Sequence, residues 1–472
     1  MHTTRAIVRT PMALHSDLEI RWKNYRAFED TKWVRLPALT VLIGPNNSGK
    51  TSVTSPLLLL NQTFSSRDAA TPLVTRGPLV DAGSFKNIVH NHDISKSLFL
   101  GLRYHMHDAR SKAGTIGKVG EYPPGAAEIT LVAGKRSEDI VLRRFALLDI
   151  LQRPFLSQSR TRSGAYTLRS GAFKLVKQKE RAAIRRTKPT NFLFFPSSAL
   201  RALQAPNMKR GEKVSFVEPS RAFNMYISAL SAAFGELQDL FRGLTYIGPL
   251  RERPRRYYPI AGEMPMSVGS RGEHMANLVR GRLSQFRGQL DEWIQRFEFG
   301  SRLVVDDVSD ELFFLSFESR SKPTKTNIAD AGFGASQVLP LIVQALAAQS
   351  QSLTIAEQPE IHLNPRLQYL LADLFVEMAN SDHRVIVETH SEHLLLRLRR
   401  LVASGKISRS KVAIYFVEKD QKGVSSIRHI PIEDNGHIAA DVWPKGFFED
   451  SLRESLALAS AQWPRLAKGA RS

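Results

Sequence analysis

The stretch GPNNSGKTS, residues 44–52, carries the residue types that hold a chain of phosphate groups. From Gly44 to Thr51 it follows the pattern G-x-x-x-x-G-K-T, in which backbone N–H groups point inward and the glycines allow phosphates to approach closely. In this pattern the lysine, here Lys50, reaches the β and γ phosphates. The hydroxyl of the next residue, Thr51, faces Mg²⁺. We therefore expect ATP and Mg²⁺ as cofactors, held by Gly44, Pro45, Asn46, Asn47, Ser48, Gly49, Lys50, Thr51 and Ser52.

A second stretch, LTIAEQPEIHLNP at residues 353–365, ends an apolar strand in a carboxylate. Glu357 is therefore expected to contribute to the magnesium site. The next residue, Gln358, stands where a carboxylate would take a proton from the attacking water. Its amide can orient water but cannot accept the proton. Glu360 is either a substitute base or a structural acid in the turn, and the sequence leaves both open.

A third stretch, VIVETHSEHLL at residues 385–395, places His390 directly after an apolar strand. In open α/β sheets, ligands collect at the carboxyl ends of the strands. We expect His390 to hydrogen-bond the γ-phosphate and the attacking water. Glu388 and His393 are weaker candidates in the same stretch.

Together these motifs resemble those of the ABC-class ATPases, and within them the SMC-like and OLD-like group. EQPEIHLNP resembles the E-E-P-E-x-H-L-H-P of that group, THSEHLL its histidine switch, and GFGASQVLPLI a divergent signature motif. The resemblance implies that Gly334, Ser336 and Gln337 contact the nucleotide of a neighbouring subunit, at a helix N-terminus suited to anions. It also implies a magnesium-facing role for Gln62, at the end of the first helix.

Two residues depart from the pattern of that group. Gln358 replaces a glutamate, and Asn364 replaces the second histidine of H-L-H-P. The glutamine predicts slow turnover or a base supplied elsewhere, and because some bacterial members of the group carry the same glutamine, the resemblance does not imply an inactive site. Slow hydrolysis suits a switch whose ATP-bound dimer is itself the working state.

The pattern of elements predicts an α/β fold. We expect an ABC-type P-loop ATPase head with an N-terminal antiparallel β lobe, a mixed central sheet flanked by helices, a basic insertion and a small C-terminal α+β domain. DLEIRWKNYRAFEDTKWVRL predicts a hairpin, and residues 218–245 and 273–297 predict helices. The expected parts are 1–100, the N-terminal lobe with the phosphate loop; 101–245, the insertion; 246–400, the C-terminal ATPase lobe; and 401–472, the C-terminal domain.

The chain is strongly basic, with a formal net charge of +21, and the excess is local. Residues 151–189 contain eleven Lys or Arg and a single acid, Glu180. A local excess favours a polyanionic partner, here duplex DNA, over general solubility. We expect the segment 151–190 to form an inserted arm or a loosely ordered hairpin.

The composition also excludes several classes of protein. The chain has no cysteine, which excludes disulfides, thiolate zinc sites and cysteine nucleophiles. The N-terminal residues lack the apolar run of a signal peptide, and the longest apolar run, VLPLIVQALAA, is too short to span a membrane. We therefore expect a soluble cytoplasmic protein that does not bind membranes.

Three functions are compatible with these observations. The first is an ATP-gated, DNA-associated sensor that controls a separate effector nuclease or toxin, since the chain resembles the ATPase subunits of anti-phage systems such as Septu and PARIS. The second is an ATP-dependent clamp that sequesters a protein partner without DNA. The third, a nuclease, is disfavoured because no D-x-D of a Toprim domain follows His390. The resemblance implies a head-to-tail dimer or a higher assembly, and we favour the first function.

Overall fold

The computed structural model describes residues 18–104, 124–136, 139–204, 217–319, 324–439 and 441–443. Its strands are β1 (Leu18–Tyr25), β2 (Phe28–Asp30), β3 (Val34–Leu36), β4 (Leu39–Ile43), β5 (Leu98–Tyr104), β6 (Pro124–Ala133), β7 (Ile140–Asp149), β8 (Pro154–Arg160), β9 (Tyr166–Ser170), β10 (Leu244–Ile247), β11 (Tyr258–Pro259), β12 (Arg302–Asp307), β13 (Leu312–Glu318), β14 (Lys325–Asn327), β15 (Leu353–Glu357), β16 (Arg384–Glu388), β17 (Val412–Lys419) and β18 (Ser425–Ile430). Its helices are α1 (Lys50–Phe64), α2 (Phe85–Ile88), α3 (Gln178–Arg186), α4 (Pro196–Gln204), α5 (Arg221–Arg242), α6 (Met275–Arg296), α7 (Phe333–Ala347), α8 (Pro365–Asn380) and α9 (Glu392–Ala403).

The chain forms two compact units that interleave in sequence. The first contains the described residues up to Leu36, then Ser52–Leu244 and Gln349–Leu353. The second contains Pro37–Thr51, Thr245–Ala348 and the described residues from Thr354 onward. The phosphate loop therefore belongs to the second unit. The predicted four-part division at residues 100, 245 and 400 stays a prediction.

The first unit is built on an antiparallel sheet in the order β2-β1-β5-β6-β7-β8-β9, with β3 also paired to β1. Alternate residues of β1, Leu18, Ile20 and Trp22, are buried, as expected of a strand with one face on the core. The Trp22 indole donates to the carbonyl of Val53 in α1 at 2.8 Å, which fixes the helix to this strand. The predicted N-terminal antiparallel lobe and its hairpin are confirmed.

The basic segment 151–190 is more regular than the sequence suggested. It forms the hairpin β8–β9, which continues the sheet beyond β7, and then helix α3, which packs on β9. We expected an inserted arm or a loosely ordered hairpin, and the looseness was wrong, because pairing with β7 extends the hydrogen-bonded ladder across residues whose composition alone is typical of a loop. The hairpin itself is as predicted.

Helix α5 matches the helix predicted over 218–245, and its start explains the one acid of the basic segment. The Ser220 hydroxyl accepts from the backbone N–H of Phe223, as an N-cap residue does. The Ser220 N–H and hydroxyl in turn donate to the two carboxylate oxygens of Glu180 at 2.8 and 2.9 Å. Glu180 is fully buried, so its charge serves to join α3 to α5 and does not face solvent.

The second unit is built on a mixed sheet in the order β10-β15-β16-β4-β17-β18. Strand β4 pairs in parallel with β16 and with β17, whereas β17 and β18 are antiparallel. All five residues of β4 are buried, which is typical of a central strand covered on both faces. The α/β architecture with a mixed central sheet is confirmed, and the sheet brings the carboxyl ends of β4 and β16 side by side.

The remaining elements of the second unit complete its core. The stretch RLVVDDVSDELFFLSFES forms a hairpin, β12–β13, with β11 and β14 on the other edge of β13. The small C-terminal region is present, and its strands β17 and β18 join the central sheet. Within the described ranges no helix has the length and apolar character needed to cross a membrane.

Candidate nucleotide-binding site

The phosphate loop connects the end of β4 to the start of α1. Gly44 has a φ of 148°, and a Cβ at this position would lie 2.2 Å from the carbonyl oxygen of Val417, so only glycine fits. Gly49 has a φ of 101°, in the region that favours glycine. The loop is also fixed from β18, since the Ser425 hydroxyl donates to the carbonyl of Ser48 at 2.6 Å. The residues at its tip, Pro45, Asn46 and Asn47, are exposed.

Lys50 is directed into the loop. Its ammonium donates to the carbonyls of Gly44 at 3.0 Å and Pro45 at 2.8 Å, and the residue is 4% exposed. Burial lowers the pKa of Lys50, while the carboxylates of Glu388, Glu357 and Glu360 oppose that change. A buried ammonium above a loop of backbone amides is the arrangement that binds phosphate groups.

Two carboxylates converge on the Thr51 hydroxyl. Both oxygens of Glu388 lie 3.0 Å from Thr51 Oγ1, and Glu357 Oε1 lies 3.5 Å from it. The hydroxyl has a single hydrogen, so it cannot satisfy all three oxygens by donation. Burial, and next the charge of Glu357, raise the pKa of Glu388 to about 7. The group is therefore a cluster of oxygen ligands whose negative charges repel each other unless a cation or a proton lies between them.

Glu357 is held from its other side by residues of the stretch LTYIGPLRERP. The Tyr246 hydroxyl donates to Glu357 Oε2 at 2.7 Å. The Arg251 guanidinium donates to the carbonyls of Glu357 at 3.2 Å and Gln358 at 3.5 Å. Burial lowers the pKa of Arg251 to about 10 and, together with Glu357, raises the pKa of Tyr246. These bonds fix both the carboxylate and the backbone that follows it.

Gln358 and Glu360 lie in the turn after β15. Gln358 has a φ of 44° and donates its backbone N–H to the carbonyl of Glu388 at 2.7 Å, so the turn is joined to the end of β16. Glu360 Oε1 accepts from the backbone N–H of His390 at 2.7 Å. Burial raises the pKa of Glu360, against the effect of that hydrogen bond. Glu360 thus positions the chain at His390, and its role as a base stays a prediction.

His390 follows β16 and is half-buried. Burial, and then the nearby Lys50 ammonium, lower its pKa, which favours the neutral ring at pH 7. The next residue, Ser391, caps α9 by accepting from the N–H of Leu394. His393, one of the weaker candidates, contacts the hydroxyl of Tyr369 in α8 at 3.2 Å. The neutral His390 ring remains able to accept or donate a hydrogen bond.

The three signature residues lie in the first turn of α7, as the resemblance implied. Gly334 is half-buried, and Ser336 and Gln337 are 6% and 2% exposed. The Gln337 amide donates to the Ser336 hydroxyl at 3.2 Å. The structure therefore places them at a helix N-terminus, and their contact with a partner's nucleotide stays a prediction.

Gln62, which we predicted near magnesium, belongs to the first unit. Its amide nitrogen donates to the carbonyls of Val74 and Val80, and its amide oxygen accepts from the N–H of Val80. These bonds hold the loop that includes residues 74–80. A magnesium contact would need the amide to leave this loop, and the metal role of Gln62 stays a prediction.

Sequence reasoning missed Tyr246 and Arg251 and ranked Glu388 too low. The signal for Glu388 was its place at the end of an apolar strand, the same signal that identified Glu357. The donor set fits Mg²⁺, which prefers oxygen ligands and takes only a few from protein, with phosphates and water supplying the rest. The described residues contain no cluster of three or more His, Cys, Asp or Glu that could hold a metal ion.

Comparison with solved structures gives SMC head domains. The SMC head bound to the C-winged helix domain of ScpA is 12% identical, with 88% of this chain and 97% of that chain covered and a TM-score of 0.39. The SMC head domain from Thermotoga maritima is 9% identical, with 88% of this chain and 99% of that chain covered and a TM-score of 0.38. The third structure is a Pyrococcus furiosus-derived SMC head with an extended coiled coil, bound to the C-terminal domain of ScpA. It is 10% identical, with 88% of this chain and 96% of that chain covered and a TM-score of 0.36. Scores this low carry no functional argument.

Comparison with protein families is more informative. No curated protein matches the chain. A family described as protein of unknown function (DUF3696) matches residues 407–458. A second family, described as "AAA domain, putative AbiEii toxin, Type IV TA system", matches residues 39–397, which is most of the chain and includes the phosphate loop, Glu357, Glu388 and His390. The chain belongs to this AAA-domain ATPase family.

Proposed function

We propose that the chain binds ATP with Mg²⁺ and hydrolyses it slowly, as a nucleotide-gated switch. The observation that carries this proposal is the convergence of Glu357 and Glu388 on the Thr51 hydroxyl beside the buried ammonium of Lys50. Folding alone does not explain a pair of carboxylates beside a phosphate loop, because two buried like charges destabilise the fold unless a cation lies between them.

Each residue has a separate task in the proposed reaction. Lys50 would exchange its bonds to the Gly44 and Pro45 carbonyls for the β and γ phosphates, and Thr51 and Glu357 would hold the magnesium ion. Mg²⁺ supplies neutralisation of charge on the transferred phosphate group. The Tyr246 hydroxyl and the Arg251 guanidinium keep Glu357 in place through the cycle.

Activation of water is the slow step in this account. Gln358 orients the attacking water but cannot take its proton, so no strong base is supplied by that position. His390 senses the γ-phosphate, and its neighbour Glu360 fixes the backbone at that point. Slow turnover leaves the ATP-bound state long-lived, as a switch requires.

The proposed working state is a head-to-tail dimer in which Gly334, Ser336 and Gln337 of one subunit close on the nucleotide of the other. Closure controls a separate effector, a nuclease or a toxin, in anti-phage defence. The chain itself is proposed not to cleave nucleic acid. We propose that the protein is soluble and acts in the cytoplasm.

Duplex DNA is the proposed trigger, and the basic hairpin with α3 is the surface that meets it. Among the eleven Lys and Arg of residues 151–189, Arg153 pairs with Asp149, and the structure records no ion pair for the other ten among the described residues. Since the one acid, Glu180, is buried, these cations face solvent without local compensation. Such a surface binds phosphates with an affinity that falls as salt rises.

The test is ATP turnover and duplex binding by the purified chain, beside a variant with Arg162→Ala, Arg169→Ala and Lys179→Ala. These three side chains are exposed, so the changes should leave the fold intact. We expect duplex DNA to raise wild-type turnover, and the triple variant to lose this response with its basal rate unchanged. The slope of log affinity against log salt should fall by about 0.9 for each phosphate that the variant no longer neutralises. An unchanged slope and an unchanged response to DNA would remove the hairpin from the account.

The alternative is a clamp that binds a protein partner without DNA. One observation favours it: the segment after β10 exposes apolar side chains, with Leu250 at 70% and Met266 at 62% exposure. Where such side chains form one contiguous patch, that patch marks a protein contact. ATP turnover that responds to a protein effector and not to DNA would establish this alternative.

A further inference from the structure

A cavity of about 350 Å³ lies between β9 and α3, in the first unit. None of its lining residues belongs to the candidate nucleotide-binding site. Its volume falls within the range of sites for small organic groups, about 300–1,000 Å³. Much of its lining is apolar and includes Leu168, Phe173 and Ile184.

The same cavity is lined by three cations. Lys174, Arg181 and Arg185 are exposed, and the structure records no ion pair for any of them among the described residues. Arg181 and Arg185 are four residues apart on α3 and so share one face of the helix. No Asp or Glu among the described residues lines the cavity, and the neighbouring Glu180 is buried and bonded to Ser220. The described lining of the cavity therefore combines apolar side chains with three cations.

This combination matches an unpaired nucleotide better than a base-paired one. A base needs an apolar, partly aromatic enclosure, and its phosphate needs cations, which is how proteins bind single strands. In a duplex the bases are stacked and paired, so they cannot enter a cavity, and only the phosphates can be contacted. Phe173 supplies an aromatic ring, which packs edge-on against Phe155 with ring centroids 6.3 Å apart.

We infer that this cavity takes one unpaired nucleotide of a single DNA strand, with the base against Phe173 and its phosphate at Arg181 and Arg185. The inference rests on the proposed function in taking DNA as the ligand of the basic segment. It adds that this segment distinguishes a single strand, as exposed at a DNA end or a replication gap, from an intact duplex.

The experiment compares binding of labelled oligothymidylate, a blunt duplex of equal length and free thymidine monophosphate to the full chain by fluorescence anisotropy. Wild type should bind the single strand most tightly. Phe173→Ala should lower single-strand affinity about tenfold, because stacking of one base on an aromatic ring contributes about 1–3 kcal/mol. Duplex affinity should stay unchanged.

Two further variants serve as controls. Arg162→Ala removes an exposed cation that does not line the cavity, and it should weaken both DNA forms to a similar extent. Phe173→Leu keeps an apolar side chain against Phe155 and so preserves packing. It should still lose single-strand affinity, and wild-type affinity in Phe173→Leu would overturn the assignment of a base to this cavity.

The outcomes separate this inference from the proposed function. Equal losses for duplex and single strand in Phe173→Ala, or no loss in either, would overturn the cavity assignment and leave DNA-stimulated turnover standing. Free thymidine monophosphate that binds as tightly as the strand would overturn the single-strand assignment in favour of a free nucleotide. Absence of binding to either form of DNA would contradict both.

Discussion

Replacing Glu388 with glutamine should stabilise the nucleotide-free chain at high pH far more than at low pH. Burial and the charge of Glu357 raise the pKa of Glu388 from its ordinary value of 4.5 to about 7. The folded chain therefore holds this proton more tightly than the unfolded chain does. The ionised carboxylate lowers the stability of the fold, and this loss grows as pH rises from 4.5 through 7.

The size of the effect follows from the shift. One pKa unit corresponds to about 1.4 kcal/mol, so the full loss above pH 7 is about 3 kcal/mol, and at pH 5 it is about 1 kcal/mol. Glutamine is neutral at every pH and still offers an oxygen to the Thr51 hydroxyl. The free energy of unfolding of Glu388→Gln should therefore exceed that of wild type by about 3 kcal/mol at pH 8.5 and by about 1 kcal/mol at pH 5.

The assay is denaturant unfolding of both proteins across this pH range, without nucleotide or magnesium. Glu311→Gln, which changes an exposed glutamate, is the matched control and should show no pH-dependent gain. A Glu388→Gln variant that is less stable than wild type at pH 8.5, or whose advantage does not change with pH, would refute the reasoning. The same variant should bind ATP more weakly in the presence of Mg²⁺, because the cluster loses one of its two negative charges.

Two other contacts give predictions of similar kind. Tyr246→Phe removes the hydroxyl that donates to Glu357. Because a hydrogen bond to a charged group contributes about 1.5–3 kcal/mol, steady-state ATP turnover should fall about tenfold or more. An unchanged rate would mean that Glu357 does not need this hydrogen bond. Glu180→Ala removes both acceptors of Ser220, and it should lower the free energy of unfolding by about 2 kcal/mol in a thermal or denaturant assay. If stability is unchanged, the junction of α3 and α5 does not depend on that carboxylate.

Local patterns sufficed to predict the parts of the site that are contiguous in sequence. The phosphate loop could be identified because its glycines, Lys50 and Thr51 lie between a continuous apolar run and a helix. Glu357 and His390 could be placed because each follows an apolar strand. The α/β architecture followed from the same alternation of buried strands and helices.

The residues that complete the site depend on contacts between distant parts of the chain. Thr51 and Glu388 are 337 positions apart, and Tyr246 and Glu357 are 111 apart. Spacing alone could not rank Glu388 above His393, which instead contacts Tyr369 on a neighbouring helix. Only the pairing of β16 beside β4 brings the Glu388 carboxylate to the start of α1.

The basic hairpin shows a different limit. Its composition, rich in Ser, Arg and Lys, is typical of a loop, and composition guided the expectation of a loosely ordered segment. Its order comes from a ladder with β7 and from packing of α3 on β9, both of which are tertiary. The cavity in that packing could not be foreseen from the sequence for the same reason.

ATP turnover by the purified chain, measured beside Lys50→Ala and Gln358→Glu, tests the central claim most directly. The account predicts slow turnover in wild type, none in Lys50→Ala because phosphate binding is lost, and faster turnover in Gln358→Glu because a carboxylate can accept the proton of the attacking water. Turnover that survives Lys50→Ala would contradict the claim that this loop binds the nucleotide. A slower Gln358→Glu would contradict the claim that the glutamine limits hydrolysis.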